Sequence, residues 1–183
     1  MWIPLESRRL NFKPLEHSDI PEIHLLNSFE EVARFNTIGV PGNLKVTEDL
    51  FAPILSNDNR SNPQKLIWVL SDKNTNVFIG EVGMNLYPER YKRAEIHYSI
   101  LPEFWGQGYA TEACTKLLSY GFNDLKFHRM EAGVAVGNEA SIRVLEKIGM
   151  LREGTCRKIL PLKSGWSDNY QYAILETDYF NLP

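Results

Sequence analysis

The stretch from Ile100 to Ala113, Ile-Leu-Pro-Glu-Phe-Trp-Gly-Gln-Gly-Tyr-Ala-Thr-Glu-Ala, constrains this chain more than any other. Before it, Ala94, Ile96, Tyr98 and Ile100 alternate with Glu95, His97 and Ser99, the period of a strand. Pro102 ends the ladder because it has no N–H to give. After it, Ala110, Ala113, Cys114, Leu117, Leu118, Gly121, Phe122 and Leu125 recur at helical spacing. Gly106 and Gly108 lie in the turn between, where the backbone can bend sharply and a ligand can approach it closely. The first N–H groups of a helix have no partner within it, and the helix dipole adds partial positive charge there. Together these features make an anion site, most naturally for phosphate. On the glycines alone, a tight connection with no ligand stays open as the plainer reading.

The rest of the chain supplies strands and helices in mixture. Arg8 to Pro14 reads as a first strand. Ser18-Asp-Ile-Pro-Glu22 reads as a helix start, with Asp19 as cap and Glu22 closing a capping box. That helix runs to about Asn27, and a second, short one covers Glu30 to Arg34. Gly39-Val-Pro-Gly42 breaks the pattern, and Thr47 caps a short helix to Leu55. Asn57 to Asn62 reads as a polar loop. Leu66–Leu70 and Val77–Tyr87 form a hairpin across the turn cluster 72–76, and Gly80 and Gly83 mark a bulge or a close ligand. Arg129–Val136 is another strand. Asn138 caps a helix that presents Ile142, Leu145 and Ile148 on one face and ends at Gly149. Arg157–Leu162 and Asn169–Leu175 pair around Ser164-Gly165-Trp166. The pattern predicts one domain over residues 1–183: a mixed, mainly antiparallel sheet of about seven strands flanked by helices, an α+β fold.

Composition narrows the function. The chain has 183 residues, 43% apolar and 23% charged, with a net charge of −3 and no basic run, so nothing points to nucleic acid. Apolar stretches fall well short of the roughly 20 residues of a membrane span. Cys114 and Cys156 do not make a disulfide framework, and Cys and His show no zinc-type spacing. With no signal-peptide pattern, the expectation is a cytoplasmic protein without a metal.

Two motifs carry a resemblance. Trp105-Gly-Gln-Gly-Tyr-Ala110 resembles the acetyl-CoA pyrophosphate loop of the GNAT N-acetyltransferases, Gln/Arg-x-x-Gly-x-Gly/Ala: Gly108 and Ala110 match, and Trp105 replaces the Gln or Arg. Asn138-Glu-Ala-Ser141 through Lys147-Ile-Gly-Met150 resembles that family's Asn-x-x-Ser/Ala helix. Trp-Gly-x-Gly-Tyr followed by Thr-Glu-Ala is familiar in the branch of ribosomal-protein N-terminal acetyltransferases. The resemblance covers about residues 8 to 180. It implies acetyl-CoA as cosubstrate and a primary amine as acceptor, on a protein N-terminus or a small molecule. It also implies two splayed central parallel strands, Ala94–Leu101 and Met130–Val136, with pantetheine between them. It is compatible with a homodimer and gives no role to nucleic acid, membrane or metal.

The resemblance also assigns residues. The implied cofactor-binding set is Ile100, Leu101, Gln107, Gly108, Tyr109, Ala110, Thr111 and Asn138, with a backbone N–H near Ile100 or Leu101 facing the thioester oxygen. Amine acetylation needs the acceptor to lose a proton and the leaving thiolate to be hydrogen-bonded or protonated. Glu95 shares a polar strand face with His97 and Ser99. A buried polar face is costly unless it lines a wet cleft. Glu95 is therefore either the base or part of a solvated face. His97 is the alternative base, or else shapes the acceptor pocket. Ser141 either assists the thiolate, as in the ribosomal branch, or bonds the backbone at the helix start. The Tyr that many family members carry further along this helix is absent, because Leu145 stands there.

Two other functions compete. A catalytically silent acyl-CoA-binding or regulatory module would share these motifs. A dinucleotide-dependent oxidoreductase would use Gly106-x-Gly108 with Glu131. Against the oxidoreductase stand the missing third glycine, since Thr111 takes its place, and a motif that follows residue 100 rather than the first βα unit.

Overall fold

A computed structural model describes residues 3–56 and 63–182; the polar loop expected at Asn57 to Asn62 lies outside them. The strands are β1 (Leu5–Glu6), β2 (Leu10–Pro14), β3 (Lys65–Asp72), β4 (Phe78–Leu86), β5 (Arg93–Ile100), β6 (Arg129–Ala135), β7 (Leu151–Leu162) and β8 (Gly165–Leu175). They form one eight-stranded sheet in the order β1-β2-β3-β4-β5-β6-β8-β7. Every neighbouring pair is antiparallel except β5 and β6. The extra strand relative to expectation is β1, two residues long and pinned to β2 through Leu5 and Phe12.

The helices are α1 (Ile20–Ser28), α2 (Glu30–Ala33), α3 (Leu44–Leu55), α4 (Tyr109–Ser119), α5 (Glu139–Lys147) and α6 (Glu176–Phe180). Two cores lie on opposite faces of the sheet. One contains Leu66, Trp68, Leu70, Ile96 and Ile100 together with Cys114 and Leu117 of α4 and Ile142 and Leu145 of α5. The other contains Ile67, Val69 and Leu101 together with Ile23 and Leu26 of α1 and Phe51 and Leu55 of α3. The unbroken apolar run Leu66–Leu70 follows from this: β3 is covered on both faces, so every position is buried.

Several local expectations shift. Asp19 does not cap α1 with its side chain; it turns back to accept the Glu16 N–H at 2.9 Å and pairs with Lys13 at 2.5 Å. Asn43, not Thr47, caps α3, accepting from the Val46 N–H at 3.1 Å. Thr47 sits inside that helix, buried, with its hydroxyl 2.8 Å from His24 Nδ1 of α1. Its side chain joins two helices instead of starting one. Beyond Ser119, the helix continues as a wider π-type turn, Tyr120–Asp124. Asn138 does cap α5, accepting from the Ser141 N–H at 3.3 Å.

The parallel pair sets the position of the site. β5 and β6 are in register at Arg93 with Arg129, Ala94 with Met130 and Glu95 with Glu131, and nowhere further. Buried Glu131 accepts from Arg93 at 3.1 Å and from Arg129 at 2.6 Å, and Arg129 also pairs with Glu153 of β7. These ion pairs close one end of the strand pair. Toward the other end the strands diverge, so Ile96 to Ile100 have no partner strand on the β6 side.

Candidate active site

The divergence opens a cavity of about 190 Å³. Glu95, Ile96, His97 and Tyr98 of β5 form one wall, and Ala132 to Ala135 of β6 form the other. Asn138, Ser141 and Leu145 close it on the α5 side, and Asn85 and Phe35 border it on the side of α1 to α3. Unpaired strand edges offer N–H and C=O groups to an extended chain. An amide-bearing arm entering here can bond to them as a strand would.

The cavity brings Glu95 and His97 together with Asn138 and Ser141, two pairs far apart in sequence. The Glu95 carboxylate lies 3.4 Å from the Asn85 amide nitrogen. Both ring nitrogens of His97 are buried without a hydrogen-bond partner, and burial pushes its pKa down to about 3. The imidazole is therefore neutral at ordinary pH and is a poor proton acceptor in the free protein. Its ring lies over Gly83 of β4: a Cβ there would sit 2.5 Å from His97 Nε2. The glycine expected to mark a bulge or a close ligand instead makes room for this ring. On α5, the Tyr98 hydroxyl donates to the Ser141 carbonyl at 3.2 Å. The Ser141 Oγ has no partner among the described residues, so it is free to meet a ligand. Tyr98, which the alternation puts on the strand face of Ala94, Ile96 and Ile100, is a cavity residue with its phenol pKa raised by burial.

Sequence reading also missed Glu81. It lies on β4 opposite Ser99, on the same face as Glu95 and His97. It is 5% exposed, one of its oxygens is buried without a partner, and burial pushes its pKa up to about 7. The signal was a lone carboxylate in the otherwise apolar run Phe78–Met84.

The remaining expected residues lie beyond the end of β5. Gly106 and Gly108 adopt left-handed backbone, φ +74° and +82°. Among the described residues, its chain neighbours aside, no atom lies within 4 Å of where a Gly106 Cβ would be. Gly108 is the N-cap of α4 and no side chain caps that helix, so the first-turn N–H groups of Tyr109, Ala110 and Thr111 face outward. A cradle of this form fits a pyrophosphate. Trp105 folds back, its indole N–H donating to the Ile100 carbonyl at 2.6 Å. The Gln107 side chain bonds the Glu103 carbonyl at 2.9 Å, so it is the Gln107 backbone that borders the cradle. One expectation fails. The Leu101 N–H donates to the Ile79 carbonyl at 2.9 Å and its side chain is buried in the core beneath α1 and α3. It is not available to a thioester oxygen, because the chain leaves the sheet one residue after Ile100 and Leu101 continues the pairing with β4.

Comparison with known proteins decides the family. The sequence model of the acetyltransferase (GNAT) domain matches residues 9–151. The chain belongs to the GNAT acetyltransferase family. Among its GNAT relatives, the uncharacterized N-acetyltransferase YoaA of Bacillus subtilis is 31% identical over 177 residues, 96% of this chain and 98% of that one. YdaF of the same organism, named provisionally as a ribosomal N-acetyltransferase, is 37% identical over 100 residues, 55% of each chain. Among solved structures, a GNAT acetyltransferase of Bacillus anthracis superposes with a TM-score of 0.81 at 30% identity, covering 96% of this chain and 99% of the other. Spermidine N-acetyltransferase of Vibrio cholerae, solved with CoA and spermine, superposes with a TM-score of 0.83 at 25% identity, covering 94% and 99%.

The GNAT chain is accordingly an acetyl-CoA-dependent N-acetyltransferase that moves an acetyl group to an amine. The described residues contain no cluster of side chains able to hold a metal ion and no helix long and apolar enough to cross a membrane.

Proposed function

We propose that the acceptor is a cationic primary amine that enters between Phe35 and Asn85, and that Glu95 receives its proton, directly or through water. The observation that carries this reading is that Glu95 of β5 and Ser141 of α5 line one cavity. The geometry gives each a task. A carboxylate at the mouth attracts the ammonium form and can take up the proton before attack. A free hydroxyl across the gap can donate to the sulfur as negative charge builds on it. Acetyl-CoA supplies the activated acyl group, and its thioester lies between the walls with its pyrophosphate on the turn 106–111. Asn138 holds the start of α5, so that Ser141 is presented from the first helical turn. His97, neutral and packed on Gly83, shapes the acceptor side and is not the base.

Both amines in view, a polyamine and a protein N-terminus, fit a carboxylate-lined mouth. The similarity to a spermidine acetyltransferase favours the first, and that to YdaF favours the second. The test is thiol release from acetyl-CoA against a panel of polyamines, amino sugars and peptides beginning with Ser or Ala. We expect turnover with at least one cationic amine and none with uncharged alcohols. Binding of CoA with no turnover on any amine would leave a silent acyl-CoA-binding module instead.

A further inference from the structure

Arg9 reaches the phosphate turn from the other end of the chain. It precedes β2, and its backbone is fixed on both sides: its N–H donates to Glu112 Oε1 at 2.7 Å, and its carbonyl accepts from the Lys73 N–H at 2.8 Å. The side chain then spans the turn. Nε donates to Glu112 Oε2 at 2.6 Å and Nη1 donates to the Gln107 carbonyl at 3.0 Å. The guanidinium lies over the Tyr109 ring, 4.1 Å from its centre. Nη2 has no acceptor among the described residues, and it is the single atom group near Gly108: it lies 3.5 Å from where a Cβ of Gly108 would be.

The arrangement also suits a turn that holds an anion. Glu112 lies in the first turn of α4, where a carboxylate suits the helix dipole but repels a bound phosphate. Burial raises its pKa, but the Arg9 N–H, the Ser7 hydroxyl at 2.7 Å and the Arg9 guanidinium outweigh that and keep it ionised. Arg9 neutralises that charge and leaves one N–H edge directed at the glycine whose missing side chain opens the cradle. Trp105 brings no charge to the turn, and its indole N–H is spent on the Ile100 carbonyl.

We propose that Arg9 is a CoA-phosphate-binding residue, donating through Nη2 to the pyrophosphate while masking Glu112 from it. This rests on the reading of the turn 106–111 as the CoA phosphate site. Arg9→Gln removes the donor and exposes Glu112 to the phosphate. Loss of a hydrogen bond to a charged group should weaken CoA binding about tenfold or more, measured by calorimetry. S-acetylpantetheine carries no phosphate, and its affinity in an NMR titration should not change. Arg9→Gln/Glu112→Gln should recover part of the lost CoA affinity, because the unmasked charge is gone. Arg9→Lys, which keeps the charge but not the fork, should lose less than Arg9→Gln. It also serves if Arg9→Gln fails to fold by far-UV CD. A CoA affinity within about twofold of wild type in Arg9→Gln overturns the proposal. So does an equal loss for CoA and S-acetylpantetheine, which marks a scaffold role. Wild-type protein that binds S-acetylpantetheine and CoA equally well would overturn the reading of the turn itself.

Discussion

The phosphate turn beyond β5 and the amine side of the cavity are built on opposite principles. At the phosphate turn, glycines in left-handed backbone and uncapped N–H groups leave donors facing outward, while the Glu112 and Gln107 side chains are held by Arg9 and by the Glu103 carbonyl. On the amine side, the sheet face that carries Glu95 also holds buried, unpaired groups: one oxygen of Glu81 and both nitrogens of His97. The first end is made of backbone over a few consecutive residues. The second is made of side chains brought to one sheet face by the pairing of β4 with β5. A recurrent cosubstrate suits the former, since its phosphates never change. A variable acceptor suits the latter, where one substitution on either strand remakes the surface.

The largest expected effect tests whether the amine end is chemical or only a container. Glu95→Gln keeps shape and hydrogen bonding but cannot take a proton. It should lower kcat by about 10²–10⁴ if Glu95 is the general base. The deficit should shrink at high pH, where free amine becomes abundant unaided. A pH–rate profile parallel to wild type with a small uniform drop would reduce Glu95 to a positioning role. Next comes the wall between the two ends. Ser141→Ala should lower kcat by about 10²–10³ while leaving CoA affinity near wild type, since its bond strengthens as charge develops. An unchanged kcat would leave proton delivery to Tyr98 or to water.

The smallest effect concerns stability and probes the buried pair. The Glu81 carboxyl goes from 4.5 in the unfolded chain to about 7 in the folded one. Between those values the folded chain keeps a proton that the unfolded chain has lost. Its contribution to stability is therefore present below pH 4.5 and lost as pH rises through 7. His97 goes the other way, from 6.5 to about 3, so its contribution is present above pH 6.5 and lost as pH falls through 3. Lys65 lowers both values and must be held constant across the comparison. Melting temperatures across pH should show Glu81→Gln gaining on wild type at the alkaline side and His97→Gln gaining at the acid side. Three parallel curves would show that neither group is kept from water.

What the sequence revealed divides along the same line. The strand, turn and helix around Gly106–Thr111 were legible because every determinant lies in one unbroken stretch from Ala94 to Leu125, and period-two and helical spacing are both intact there. Asn138 and Ser141 were legible for the same reason. Glu81 and Tyr98 were hidden. Each sits at a position whose spacing says core, and only the register of β4 against β5, or the approach of α5, shows that a polar group stands at that point. Arg9 was hidden by distance: 103 positions separate it from Glu112. Gly83 illustrates the difficulty well. A glycine in a strand announces close approach but not by what, and here the visitor is a histidine of the next strand.

The three-pair seam between β5 and β6 has a consequence for how the molecule completes itself. Every other strand is laced to its neighbours along most of its length, so the sheet is two continuous fabrics stitched at one corner by Glu131 and its arginines. The unstitched part of that seam is where the pantetheine arm lies under the proposed function. On binding, the cosubstrate would stand in as a short ninth strand, joining fabrics that the polypeptide leaves apart. The fold would then be whole only while loaded, and each release of product would reopen the seam.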